Sequence, residues 1–170
     1  MAETYTPIYT YTAPSAQSSV TLNSFSGYTD LIFVLSVRGS STSQYQTLQL
    51  RFNSDTNSNY SFTGMLGSGT TAASERAANQ TSCRAARLST GYNSFTGFDT
   101  TVIHLKNYAN TNTYKCFVSR GNHTNEYYGV SEYTSTWRST SAITSVTFLQ
   151  DGAYDFVTGS TFTVYGLAAA

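Results

Sequence analysis

The chain has 170 residues, with 9 Lys plus Arg against 9 Asp plus Glu, and 24 Ser and 28 Thr place a small hydroxyl at 52 positions. Charged residues make up 11% of it, against about a quarter in an ordinary globular domain. This balance excludes a helical bundle, which needs Ala, Glu, Lys and Leu in quantity. It also excludes a charged and ring-poor disordered tail, and a nucleic-acid binder with a basic excess to neutralise phosphates.

Residues 5–12 alternate Tyr and Thr around Pro7, a period-two pattern of β-branched and aromatic side chains that predicts a strand. Pro7 cannot donate to a ladder, so this piece is expected as an edge strand or an extended arm. Alternation resumes over 18–24. Residues 30–37 are a continuous apolar run, expected as a strand buried on both faces. Gly39 to Ser43 reads as a turn. Over 45–53, Leu48, Leu50 and Phe52 share one face and Gln49 and Arg51 the other. Residues 54–59 are a loop by composition, and 60–66 a strand. Residues 71–88 lack strand alternation. Their paired alanines favour helix but are too small to give an apolar face, so the expectation is a long loop at about 67–99 with one helical turn. Further strands are predicted at 100–106, 113–120, 127–133, 142–149 and 160–166. The fold expected is all-β: one antiparallel β-sandwich, jelly-roll-like, of eight to ten strands. An extended arm over 1–16 precedes a single domain over 17–170.

Candidate chemistry is sparse. His104 and His123 fall in no HxH or HExxH spacing, so no metal or other cofactor is expected. A histidine on a strand face with a hydroxyl partner accounts for His104. Abundant hydroxyls make a Ser-His-Asp set trivially available, and no G-x-S-x-G elbow occurs. Asp151 and Asp155 flank a turn and are read as bonding to backbone amides. Cys83 and Cys116 are expected as free thiols. Residues 1–4 show neither a positive start nor an apolar stretch, so no secretory signal is expected. The longest apolar run, Leu31 to Leu35, is far below the roughly 20 residues of a membrane span.

Three sets of residues are candidates for binding. Tyr5, Ile8, Tyr9 and Tyr11 belong to the arm, which can add a strand to a neighbouring sheet. Arg76, Arg84 and Arg87, with Glu75 as the sole acid nearby, make the long loop locally basic and fit it to an acidic groove on a partner. Tyr127, Tyr128, Tyr133 and Trp137 can stack on sugar rings, or belong to the core or to a subunit interface, the reading preferred here.

Several phrases, taken in order and spacing, point to a known group. They are Tyr28-Thr29-Asp30-Leu31; Leu50-Arg51-Phe52-Asn53-Ser54-Asp55-Thr56, followed by Asn59-Tyr60-Ser61; and the stretches 103–111, 137–146 and 159–167. On these the chain, from about Tyr28 to Leu167, resembles a group of small virion proteins of tailed bacteriophages, common in aquatic phages. The resemblance implies a structural virion protein with a β-sandwich and brings no catalytic residues.

The small neutral domain, the arm and the missing active site together predict a capsid decoration or cement protein rather than an enzyme. It would bind the major capsid protein and copies of itself as a dimer or trimer, on a virion assembled in the host cytoplasm, with no nucleic-acid or membrane partner. The alternative expectation is a tail fibre or tail-tip module that binds host surface glycan.

Overall fold

The structure is a computed structural model that describes residues 5–125 and 129–168. Twelve strands are present among them: β1 (Thr6–Thr12), β2 (Ser19–Asn23), β3 (Asp30–Val37), β4 (Gln46–Phe52), β5 (Tyr60–Gly67), β6 (Ala72–Gln80), β7 (Cys83–Leu88), β8 (Asp99–Leu105), β9 (Lys115–Asn122), β10 (Val130–Trp137), β11 (Ser145–Gln150) and β12 (Thr161–Leu167). They form two antiparallel sheets. One has eight strands in the order β1-β12-β3-β8-β9-β10-β5-β6, and the other four in the order β2-β11-β4-β7. The two pack as a sandwich, as the sequence predicts, with more strands than the eight to ten expected.

Alternation sets which side chains meet in the middle. Leu31, Phe33, Leu35 and Val37 of β3 are fully buried, while Asp30, Ile32, Val34 and Ser36 between them are half-buried. This corrects the expectation of a strand buried on both faces: β3 has one core face and one outer face. Leu48, Leu50 and Phe52 of β4 answer from the smaller sheet. Edge-to-face rings fill the space, among them Phe33 against Phe148 at 5.4 Å and Phe156 against Phe162 at 5.1 Å, the arrangement aromatic quadrupoles favour.

The stretch expected as a long loop is instead two strands. β6 pairs with β5 in the large sheet, and β7 pairs with β4 in the small one. Their alanines reflect position. Ala85 and Ala86 lie where the sheets approach closely; a Cβ at Gly121 would sit 3.0 Å from the Ala86 methyl. Small residues there let the layers meet, and they remove the apolar signature that sequence patterning relies on.

The expected arm is also part of the body. β1 pairs antiparallel with β12 as the edge of the large sheet, with a bulge at Pro7. A proline and a bulge are tolerated at an edge and blunt it against other strands. Beyond β1, the Ala13 amide donates to the Ser160 carbonyl at 2.8 Å.

The small sheet ends at β7, beneath β9 and β10. The large sheet continues past it through β5 and β6. On the inner side of this overhang Phe62, Leu66 and Tyr133 form a satellite core with Ala77 packed against it.

Candidate functional site

The arm residues do not wait for a partner. Ile8, Tyr9 and Tyr11 pack against the protein's own core, and Tyr5 is exposed at the strand's beginning. The Tyr9 hydroxyl donates to the Asn23 carbonyl at 3.1 Å and accepts the Asn23 amide at 3.0 Å. It thereby pins β1 to β2 across the two sheets.

The basic set divides. Arg84 Nη1 lies 2.8 Å from Glu75 Oε1, and Arg87 Nη2 lies 2.7 Å from Glu75 Oε2. Each guanidinium also sits over a ring, Arg84 at 4.6 Å from the Phe62 centroid and Arg87 at 4.1 Å from that of Tyr45. The Tyr133 hydroxyl donates to Glu75 Oε1. Burial works against the Glu75 charge, but the Tyr133 hydrogen bond and the two arginines outweigh it and hold the carboxyl below its ordinary value. Arg84 and Arg87 therefore tie β7 to β6 from inside and do not form a basic clasp. Arg76 is exposed on the outer face.

Of the aromatic set, Tyr127 and Tyr128 lie outside the described residues. Tyr133 and Trp137 are core: Tyr133 is 0% exposed and Trp137 2%. The Trp137 ring stacks on Tyr60 at 6.3 Å with an interplanar angle of 18°. Its Nε1 donates to Asp55 Oδ2 at 2.7 Å. Asp55 also accepts from the Asn57 amide at 2.9 Å and from Asn59 Nδ2 at 2.8 Å. Burial opposes its charge, yet these hydrogen bonds prevail and lower its pKa.

The histidines are each engaged. His104 Nε2 lies 2.8 Å from Asp30 Oδ2, and Asp30 Oδ1 accepts the Asn107 amide at 2.9 Å. Its partner is thus a carboxylate, not the expected hydroxyl. His123 Nδ1 lies 3.0 Å from the Asn125 carbonyl, which makes that nitrogen the donor, and 3.5 Å from Ser89 Oγ. The Ser89 hydroxyl donates to buried Asp99 at 3.0 Å. A nucleophile would instead direct its proton to an unprotonated imidazole nitrogen. Asp99 further accepts the Thr124 amide at 2.9 Å and hydroxyl at 2.7 Å. This cluster braces the connection between β7 and β8 against the one after β9. Asp151 Oδ1 accepts the Thr47 amide at 2.8 Å, the backbone role expected for it. Cys83 is buried and Cys116 exposed, both as free thiols. No group of three or more His, Cys, Asp or Glu able to hold a metal is found among the described residues.

Among the described residues two surfaces remain without cover. The first is the outer face of the large sheet. Register places Ile32, His104, Val118, Thr134, Thr63 and Arg76 in one row across it, and Val34, Val102, Arg120, Glu132, Met65 and Ser74 in the next. Val102, Val118 and Met65 are 41%, 49% and 62% exposed. Shallow depressions of about 540, 220 and 540 Å³ follow one another across β6, β5, β10, β9 and β8, sharing Thr63, Thr134 and Glu132 along their lining. The second is the free edge of β6, nine residues long and almost wholly exposed. Sequence reasoning missed both. The outer face is spread over five strands, and β6 carries no alternation to mark it as a strand.

Comparison with protein-family models, with curated proteins and with solved structures finds no match to this chain.

Proposed function

We propose that this chain is a structural protein of a tailed-phage virion, a decoration protein that stabilises the head by binding coat subunits. The observation that carries this reading is the open edge of β6. An edge strand presents unpaired backbone N–H and C=O groups, a template for another chain's strand. The opposite edge of the same sheet is blunted by Pro7 and a bulge, whereas β6 contains no proline and no lysine. From beneath, Glu75 is held by Arg84, Arg87 and Tyr133. The edge is therefore already in its pairing conformation, and little ordering entropy opposes docking.

The direction of strand exchange reverses relative to the sequence expectation. The segment around β1 stays within its own sheet, and β6 receives an extended strand from a coat subunit. The neutral, hydroxyl-rich composition supports this reading, because weak self-repulsion suits a protein packed among neighbours. Burial of Tyr133 and Trp137 withdraws two of the rings that favoured a tail module stacking on sugar.

Copy number tests the reading. Quantitative mass spectrometry of purified virions is expected to find this protein in an amount comparable to the coat protein; a few copies per particle would overturn it. The double variant Ala72→Lys with Ser74→Lys, which charges the β6 edge at two exposed positions, is expected to keep its fold and lose binding to heads.

A further inference from the structure

The geometry points to a second binding site, separate from the β6 edge: the trough across the outer face of β6, β5, β10, β9 and β8 takes an acidic oligosaccharide.

Charge is the first argument. Arg76 stands at the β6 end of the trough and Arg120 on β9 within its other half, both exposed. Neither makes an ion pair or hydrogen bond among the described residues. Arg120 faces Glu132 directly across the β9–β10 ladder, yet the two do not come within ion-pair distance. Beneath this face, Arg84 and Arg87 of β7 share the Glu75 carboxylate, so both of those guanidinium groups are engaged. Two guanidinium groups are therefore left on one face with their forks unused, and a planar carboxylate is the group that fits such a fork.

Spacing is the second argument. Arg120 and Arg76 are separated by three strand intervals and stand in adjacent rows, about 16 Å apart at the usual strand spacing and rise. A single acid sugar reaches one arginine; an oligomer with repeated carboxylates reaches both.

The floor is the third. Thr63, Thr134, Ser61 and Thr136 line it with hydroxyls that can donate to and accept from sugar hydroxyls. Val102, Val118 and Met65 offer apolar surface for the C–H faces of the rings. The rings that border the trough, Phe62 and Tyr133, are buried in the satellite core. Among the described residues the trough thus has no exposed aromatic platform of the sort that holds neutral sugars by stacking, and its two arginines outnumber its one lining carboxylate, Glu132, which favours an acidic ligand.

Titration calorimetry with tetragalacturonate, with galacturonate monomer and with neutral maltotetraose tests this. The expected result is binding of tetragalacturonate that weakens with salt, a monomer bound far more weakly, and no heat from maltotetraose. Arg76→Ala and Arg120→Ala should each lower affinity roughly five- to tenfold with unchanged melting temperature. Their side chains are exposed, so folding is not at stake. No binding of tetragalacturonate, or binding unaffected by either substitution, overturns the inference. So does loss of head binding in the arginine variants without any glycan binding, which would make the trough a protein-docking face. Arg76→Ala and Arg120→Ala leave the backbone groups of the β6 edge in place, so head binding kept by these variants while tetragalacturonate binding is lost separates the two sites, and failure of one leaves the other standing.

Discussion

Glu75 gathers two guanidinium groups and a phenol, and its energetics can be read from that company. Its folded pKa lies below the unfolded one, so its stabilisation is fully present above the unfolded value near 4.5 and disappears as pH falls through the folded value. Glu75→Gln should cost about 2 kcal/mol at neutral pH, less than a fully buried pair because the carboxylate is 22% exposed. The gap between variant and parent should close on acidification, which denaturant titrations at several pH values would reveal; a constant gap would contradict the assignment. Trp137 behaves alike through Asp55. Trp137→Phe keeps most of the stacked ring and loses one bond to a charged acceptor, about 2 kcal/mol. Thermal or chemical denaturation should show that loss, and Trp137→Phe of parental stability would make the indole N–H irrelevant. At this scale the sequence was least informative. The phrase from 130 to 137 does contain the answer, because Glu132, Thr134 and Thr136 alternate with Tyr133, Ser135 and Trp137. That parity sets the two rings on the face away from Glu132, with Ser135 between them. Which guanidinium would meet Glu75 had no such local signal, since the contact joins two sheets.

Among the elements, β7 shows what the many hydroxyls are for. It is the last strand of the small sheet, and its free edge would leave backbone groups buried without partners, a costly state. Side chains from the large sheet supply them. Ser119 Oγ donates to the Ala85 carbonyl at 2.6 Å, Ser135 Oγ to the Arg84 carbonyl at 2.7 Å, and Ser131 Oγ accepts the Arg87 amide at 3.2 Å. Ser119→Ala and Ser135→Ala should each cost about 1 to 2 kcal/mol, more than alanine at an exposed serine such as Ser19; equal small effects in calorimetry would refute the role. Ten strands were legible, most of them from the period-two alternation of greasy and hydroxylated residues and β3 from its continuous apolar run. β6 and β7 were not. β6, at an open edge, has little burial to impose alternation. β7, pressed beneath β9 and β10, is buried at nearly every position and built of small residues where the sheets close up. Strand pairing, not composition, turned an apparent loop into two strands.

For the whole molecule, the two edges of the large sheet differ in kind: β1 is guarded by Pro7 and stapled through Tyr9 to the other layer, and β6 is open and braced from within. The outer face between them carries the trough, so strand exchange and ligand binding are assigned to different surfaces. Amide hydrogen exchange on the protein, free and bound to phage heads, tests the strand-accepting edge most directly. The account predicts rapid exchange at the outward amides of β6 in the free protein and strong protection of residues 72–80 on the head. Protection confined to other strands, with β6 exchanging as fast as before, would contradict it.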